Sequence, residues 1–282
     1  ALRRLEGESG EALSLTLDRL SGQGLVEVDL IRERIALESV RSRVVAEDVG
    51  YLRITQFQQD TSTEFESDLA KLLNENPLLT GLILDLRNNP GGLLRSAVDI
   101  ADVFLNSGVI VSTQGRMQSA NQSFHATPGS TANDLPIVVL INRGSASAAE
   151  IVAGALQDHQ RAVILGDISF GKGSVQEVIN IDESRAIKLT IARYFTPSGR
   201  SIQAQGIYPD IRVDQGNINW DREDNALSEA SLAGHLNNGT LNSGTAGPEL
   251  LGLRETLSDI EDLQLAHAVS LLQGSALLQQ LK

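Results

Sequence analysis

The sequence predicts an α/β fold, a mixed sheet flanked by helices, on three observations. Residues 81–86 are a dense apolar run of strand length, typical of a buried parallel strand, and 137–140 and 162–165 read as further strands. Between such runs, Phe65, Leu69, Leu72 and Leu73, and later Ile151, Val152, Ala155 and Leu156, recur at helical spacing. Strand alternating with helix lays the helices on the faces of a sheet.

Taken in order, residues 1–20 read as the end of a short helix, a turn at Glu8-Ser9-Gly10, and a strand with Leu13, Leu15 and Leu17 on one side. Gly22 and Gly24 break the pattern, and residues 26–35 then alternate apolar and charged residues as a half-exposed strand does. Residues 49–54 form the next strand. Thr61 or Ser62 caps a helix that runs to Pro77. The strand over 81–86 ends in Arg87-Asn88-Asn89-Pro90-Gly91-Gly92, a loop made of turn formers. A helix over 93–105, strands near 109–111 and 137–140, a helix over 145–157, and strands near 162–165, 175–179 and 187–194 complete the core. Composition changes after Val213. Residues 214–247 are rich in Asn, Ser, Gly and acid, a polar connector with one short helix near 227–236, and residues 257–272 and 275–281 regain helical spacing. The predicted divisions are 1–20, 21–213 and 214–282. The leucine-rich stripe of the last division is expected to face either another subunit or its own core.

A chain of 282 residues with 41% apolar and 21% charged residues can build a sizeable core. Its formal charge of −13 argues against a nucleic-acid partner, which would need clustered Lys and Arg, and against anionic lipid. No apolar run is long enough to cross a bilayer. With no cysteine there is neither disulfide nor thiolate chemistry. The four histidines are scattered in no metal-binding pattern, so a zinc site is not expected. His159, closing the helix over 145–157, reads as a cap rather than a base. The chain starts at Ala1 with neither an initiator Met nor a secretory signal, and is taken to be a piece of a longer or processed protein.

The chemistry concentrates in Gly144-Ser145-Ala146-Ser147-Ala148-Ala149-Glu150 and Gly171-Lys172-Gly173-Ser174-Val175-Gln176. A small-residue turn presents serines at a helix start, and a solitary lysine follows on a glycine-flanked turn. A serine hydroxyl becomes a good nucleophile when a base removes its proton, and a lysine serves as that base when burial or a positive neighbour disfavours its ammonium. Phe170, Gly171, Gly173 and Val175 leave Lys172 among uncharged neighbours. Gln176 shares its parity, but four extended residues span roughly 13 Å, so contact with Lys172 requires a curl at Gly173. The amide of Ala148 at the helix start and the glycines Gly91 and Gly92 are candidate oxyanion donors. Plainer roles compete: a helix cap, a solvated lysine and a strand-to-helix turn. Gly166-Asp167-Ile168-Ser169-Phe170-Gly171-Lys172 fits the first seven places of a P-loop, but Gly173 stands where Ser or Thr should bind metal, and a strand follows.

Four ordered motifs carry a family likeness: Asp85-Leu86-Arg87-Asn88-Asn89-Pro90-Gly91-Gly92, Gly144 through Glu150, Gly166 through Gln176, and Tyr194-Phe195-Thr196-Pro197-Ser198-Gly199-Arg200-Ser201-Ile202-Gln203. Together, over residues 25–213, they resemble the carboxyl-terminal processing (tail-specific) proteases. The resemblance implies a crotonase-like α/β core and a Ser–Lys serine endopeptidase with Ser147 as nucleophile, Lys172 as general base and Gln176 as its companion. It further implies oxyanion donors from Ala148 with Gly91 or Gly92, no metal or cofactor, and protein substrates with apolar, unstructured C-terminal tails. Residues 1–20 would then be the last part of a PDZ domain whose carboxylate-binding loop lies outside the sequence. A periplasmic or otherwise exported location, a homo-oligomer and an activating adaptor are the matching expectations. Two other readings stay open: a catalytically silent peptide-binding scaffold, and a nucleotide-binding protein using residues 166–172.

Overall fold

The computed structural model describes residues 5–18, 24–33, 38–129, 131–132, 135–182, 185–218 and 260–280. The chain divides into two compact units, Ala1–Glu38 and Ser39–Lys282.

The first unit is an antiparallel hairpin of β1 (Ala12–Asp18) and β2 (Leu25–Ile31), with Leu15 opposite Val28. Below the strands, Gly10 N–H donates to the Arg32 carbonyl and the Arg32 guanidinium pairs with Glu11. The division expected at residue 20 falls between two strands that satisfy each other's backbone groups. The unit accordingly continues to Glu38.

The second unit is built on a six-stranded sheet. Its strands are β3 (Val40–Val45), β4 (Val49–Ile54), β5 (Gly81–Asp85), β8 (Ile137–Ile141), β9 (Val163–Gly166) and β12 (Ile211–Arg212). Their order is β12-β9-β8-β5-β4-β3, parallel except for the antiparallel β3 edge. A second, antiparallel sheet has the order β10-β11-β6-β7, from β6 (Val109–Gly115), β7 (Gln122–His125), β10 (Ser174–Asp182) and β11 (Arg185–Phe195). Strands β3, β7 and β12 were not apparent in the sequence. They are short or arginine-studded edges without a dense apolar run.

Alternation along the central strands assigns two cores. Leu52, Ile54, Leu82, Leu84, Val139 and Ile141 face α1 (Thr61–Glu75), α2 (Leu94–Asp102) and α3 (Ala148–Asp158), which contribute Phe65, Leu69, Ile100, Val152 and Leu156. Residues of the opposite parity, Val49, Tyr51, Ile83, Val138 and Leu140, meet Leu265, Ala266, Val269 and Leu272 of α4 (Leu263–Gln280). The apolar stripe that was a candidate to face another subunit therefore packs on this chain's own sheet. It is also one helix rather than two, running through Gly274. Of the polar connector and the helix near 227–236, residues 219–259 lie outside the described residues.

Two helix starts differ from expectation. Asp60, not Thr61, is the first cap of α1. Thr61 is instead buried, its hydroxyl 2.7 Å from that of Ser39 and accepting the Gln58 N–H. Helix α3 begins at Ala148 rather than Ser145, because Ser147 takes a backbone conformation no helix admits.

Candidate active site

Strand β8 ends at Ile141, and the turn that follows separates the two serines by role. Ser145 is fully buried. Its hydroxyl accepts the Asn142 N–H at 3.0 Å and donates to the Leu86 carbonyl at 2.8 Å, stitching the end of β8 to that of β5. Ser147 is half-buried, at φ 56° and ψ −112°, at the start of α3. An L-residue held there costs about 1–3 kcal/mol, and such strain persists where its surroundings fix it. Here Ala146 N–H donates to the Asn89 carbonyl, Ile151 N–H to the Ser147 carbonyl, and Ser147 N–H to the Glu150 carboxylate at 2.7 Å. The result is a sharp strand-to-helix elbow of the kind that exposes a nucleophile, formed without a Gly-x-Ser-x-Gly signature.

Glu150 joins the serine to the lysine. Its side chain is fully buried in the first turn of α3, where the positive end of the helix favours its charge. One oxygen accepts both Ser147 N–H and Lys172 N–H, at 2.7 and 2.9 Å. The other accepts Gly171 N–H at 2.6 Å and the Ser169 hydroxyl at 2.5 Å. The loop after β9 is thus folded around a single carboxylate, and Phe170 N–H adds a bond to the Ser145 carbonyl. Sequence reasoning included Glu150 in a motif but gave it no role. A glutamate three residues after a helix-starting serine, the capping-box spacing, was the signal available.

Lys172 is half-buried in this loop. Strand β10 starts two residues later at Ser174, so the lysine opens a strand and not the helix a P-loop requires. Gln176 lies exposed on β10, and among the described residues no hydrogen bond joins it to Lys172. Gly173 N–H instead donates to Gln203 Oε1 at 3.1 Å.

The Asn89-Pro90-Gly91-Gly92 turn lies directly against the elbow. A Cβ on Gly91 would stand 2.8 Å from Ser147 Cβ and 3.0 Å from the Ala148 nitrogen. Gly92, at φ 147°, leaves no room for one, since a Cβ there would sit 2.0 Å from the Phe57 carbonyl oxygen. Gly91 N–H is already used, donating to Asn89 Oδ1 at 2.9 Å. The amides of Gly92 and Ala148 make no hydrogen bond among the described residues.

A buried polar cluster roots the turn. Asp85, fully buried at the end of β5, accepts the Tyr51 hydroxyl at 2.7 Å and the Arg87 backbone and guanidinium N–H groups at 2.7–3.0 Å. Arg87 then reaches Asp262, just before α4, and Gln264 in its first turn, at 2.9 and 3.0 Å. Burial, reinforced by the Asp85 charge, pushes the Tyr51 phenol up to about 12. Burial works against the Arg87 guanidinium, but its bonds to Asp85 outweigh it and leave the charge more firmly held than usual.

With this geometry in place, the comparisons with known proteins are decisive. A profile of peptidase family S41 matches residues 48–213, more than half of the chain. The chain belongs to peptidase family S41. A carboxy-terminal-processing protease of Bartonella bacilliformis is 42% identical over 277 residues, covering 97% of this chain and 63% of that protein. A carboxyl-terminal-processing protease of Synechocystis is 40% identical over 224 residues, 78% of this chain and 52% of that one. Among solved structures, a photosystem II D1 C-terminal processing protease matches with a TM-score of 0.58 at 30% identity, over 74% of this chain and 57% of that one. The S41 chain thus spans between half and two thirds of the length of these relatives.

Within this S41 chain, His159 closes α3 with its Nε2 2.7 Å from the Val109 carbonyl oxygen, a structural post as the sequence suggested. Among the described residues, no group of acidic and histidine side chains is arranged to hold a metal ion, and no helix is long and apolar enough to cross a membrane.

Proposed function

We propose that the chain carries the catalytic core of a serine endopeptidase of the carboxyl-terminal processing type. The observation that supports this most directly is the shared carboxylate of Glu150, which takes the backbone N–H of the strained Ser147 and of Lys172 on one oxygen atom. Two residue types that together make an acyl-transfer dyad are tied at their backbones across 25 residues of sequence.

In this reading Ser147 Oγ attacks the scissile carbonyl carbon while the neutral Lys172 amine takes its proton. The developing oxyanion accepts hydrogen bonds from Ala148 and Gly92, the two amides not otherwise engaged. Gly91 serves as the tight packing partner of the elbow. Collapse of the tetrahedral intermediate expels the amine, which takes the proton back from Lys172. Water, deprotonated by the same lysine, then hydrolyses the acyl-enzyme. Gln176 enters as a lysine-orienting group when β10 closes on the loop. The mechanism calls for no metal or cofactor. Protein substrates with apolar, unstructured C-terminal tails, an exported or periplasmic location, a homo-oligomeric assembly, an activating adaptor and a PDZ origin for residues 1–20 belong to the same proposal.

The test is cleavage of an unstructured protein with an apolar C-terminus, followed by mass spectrometry, with Ser147→Ala and Lys172→Ala chains beside the native one. Cleavage by the native chain alone carries the reading. Equal product from all three chains rejects it.

A further inference from the structure

The outer face of the second sheet holds a groove that the proposed chemistry does not use. It has a volume near 790 Å³ and begins two residues beyond Lys172. The registers Ser174↔Arg193 and Arg193↔Gln114 set these three side chains in one row across β10, β11 and β6. The alternate row, Val175, Ala192 and Tyr194, turns the other way and joins the core. The groove is therefore on the solvent side. Arg116, just past the end of β6, lines it too. Gln203, whose Oε1 accepts the Gly173 N–H, forms the wall nearest the lysine loop.

Two features make this face chemically particular. Arg116 and Arg193 are exposed and, among the described residues, neither takes part in an ion pair, whereas seven of the twelve described arginines of the second unit do. The whole chain carries a formal charge of −13, so two unpaired cations flanking one groove form a local field of the opposite sign. Gly115 between them is the cross-strand partner of Ala192, and a Cβ there would stand 2.4 Å from the Ile191 carbonyl oxygen, so the backbone at this point of the groove is bare of a side chain. An extended peptide advances about 3.3 Å per residue, so a chain held at Lys172 enters the groove within a few residues.

We propose that this groove is a substrate subsite that binds a carboxylate-bearing stretch of the polypeptide through Arg116 and Arg193. This rests on the protease reading for its substrate class. The carboxylate is either the chain terminus or an Asp or Glu side chain close to the scissile bond.

The experiment measures binding, so that it does not depend on turnover. Fluorescence anisotropy on the full-length chain carrying Ser147→Ala compares labelled ten-residue peptides that differ only in a C-terminal acid against an amide, or an internal Glu against Gln. About fivefold tighter binding of an acidic member, suppressed by salt, is expected from two exposed charge pairs. That preference collapses to unity in an Arg116→Ala/Arg193→Ala chain and reverses in Arg193→Glu. The terminal pair or the internal pair showing the effect identifies the source of the carboxylate. Equal affinities within both pairs, or a preference that survives the double substitution, overturns the proposal. Cleavage by the native chain is scored separately, so a failed subsite and a failed protease reading give different results.

Discussion

Replacing Glu150 by Gln changes one oxygen for an NH₂ and nothing else in shape, yet the surroundings cannot accommodate the change. All four groups around the carboxylate are donors: the N–H of Ser147, Gly171 and Lys172 and the Ser169 hydroxyl. If the amide nitrogen takes the Oε2 place, it confronts the Ser147 and Lys172 N–H groups. In the other orientation it confronts Gly171 N–H and Ser169, whose Oγ already accepts the Ile207 N–H at 2.6 Å. Either way at least one buried backbone donor loses its acceptor, at about 1–3 kcal/mol each, and the bonds that remain lose their charge assistance. The loss falls on the one carboxylate that ties the backbones of Ser147 and Lys172, the proposed nucleophile and base, together. Misplacement by an ångström can reduce a rate by about 10²-fold. The expected result for Glu150→Gln is thus a kcat lower by about two orders of magnitude, a KM within about threefold of native, and a chain still folded by near-ultraviolet circular dichroism. Glu150→Asp, one methylene too short, should rescue little. A Glu150→Gln chain with native kcat, or one whose defect lies wholly in KM, would refute the reasoning.

Other outcomes follow from the same geometry. Ser145→Ala breaks two buried hydrogen bonds and should lower unfolding free energy by about 1–3 kcal/mol in urea titrations while keeping activity, whereas Ser147→Ala should abolish turnover at near-native stability. Gly92→Ala places a Cβ against the Phe57 carbonyl in a left-handed conformation, and both folding yield and cleavage should fall together. Leu272→Ala empties the contact between α4 and Gly81 and should cost about 2–5 kcal/mol by chemical denaturation. The Tyr51 phenol is raised above its unfolded value near 10, so its share of stability is intact below pH 10. That share is lost as pH climbs to about 12, amounting to about 3 kcal/mol that a Tyr51→Phe chain should not lose. At the acid end, burial of Asp158 is outweighed by hydrogen bonds from Thr196 and Ser198 and by Arg200, which hold its carboxyl below the usual range. Stability should fall as pH drops through that depressed value, and an Asp158→Asn chain should lack this part of the acid slope.

What could be read from the sequence depended on how local the cause was. Residues 81–86 and 137–140 are strands because their own side chains are apolar except for Asp85, and the helix over Phe65, Leu69 and Leu72 declares itself by spacing. The Gly91-Gly92 turn was visible because two glycines in a row advertise backbone freedom, and both prove to have no space for a side chain. Strand β3 was missed because only its ends, Val40 and Val45, are buried, while Arg41, Ser42 and Arg43 between them break any apolar run and the strand is held to β4 by backbone pairing. The serine–lysine motifs were legible, but choosing between Ser145 and Ser147 on physical grounds required the φ of one and the buried bonds of the other. Likewise, nothing local to Gly91 says that Asn89 would occupy its N–H, and nothing local to Glu150 says that a loop 20 residues on would fold around it.

The cluster of Asp85 and Arg87 carries an implication for the order of assembly. Arg87 stands four residues before the Gly91-Gly92 turn, yet it finds two of its acceptors 175 and 177 positions downstream, at Asp262 and Gln264. A polypeptide emerging from the ribosome builds from its N-terminal end. Ser147, Glu150 and Lys172 will all have been synthesised long before those two acceptors exist. Until they arrive, a buried guanidinium at the foot of the turn lacks part of its neutralising shell, and the turn has an incomplete foundation. The support of the Gly91-Gly92 turn is therefore complete only once a helix encoded more than 170 positions later has docked beneath it.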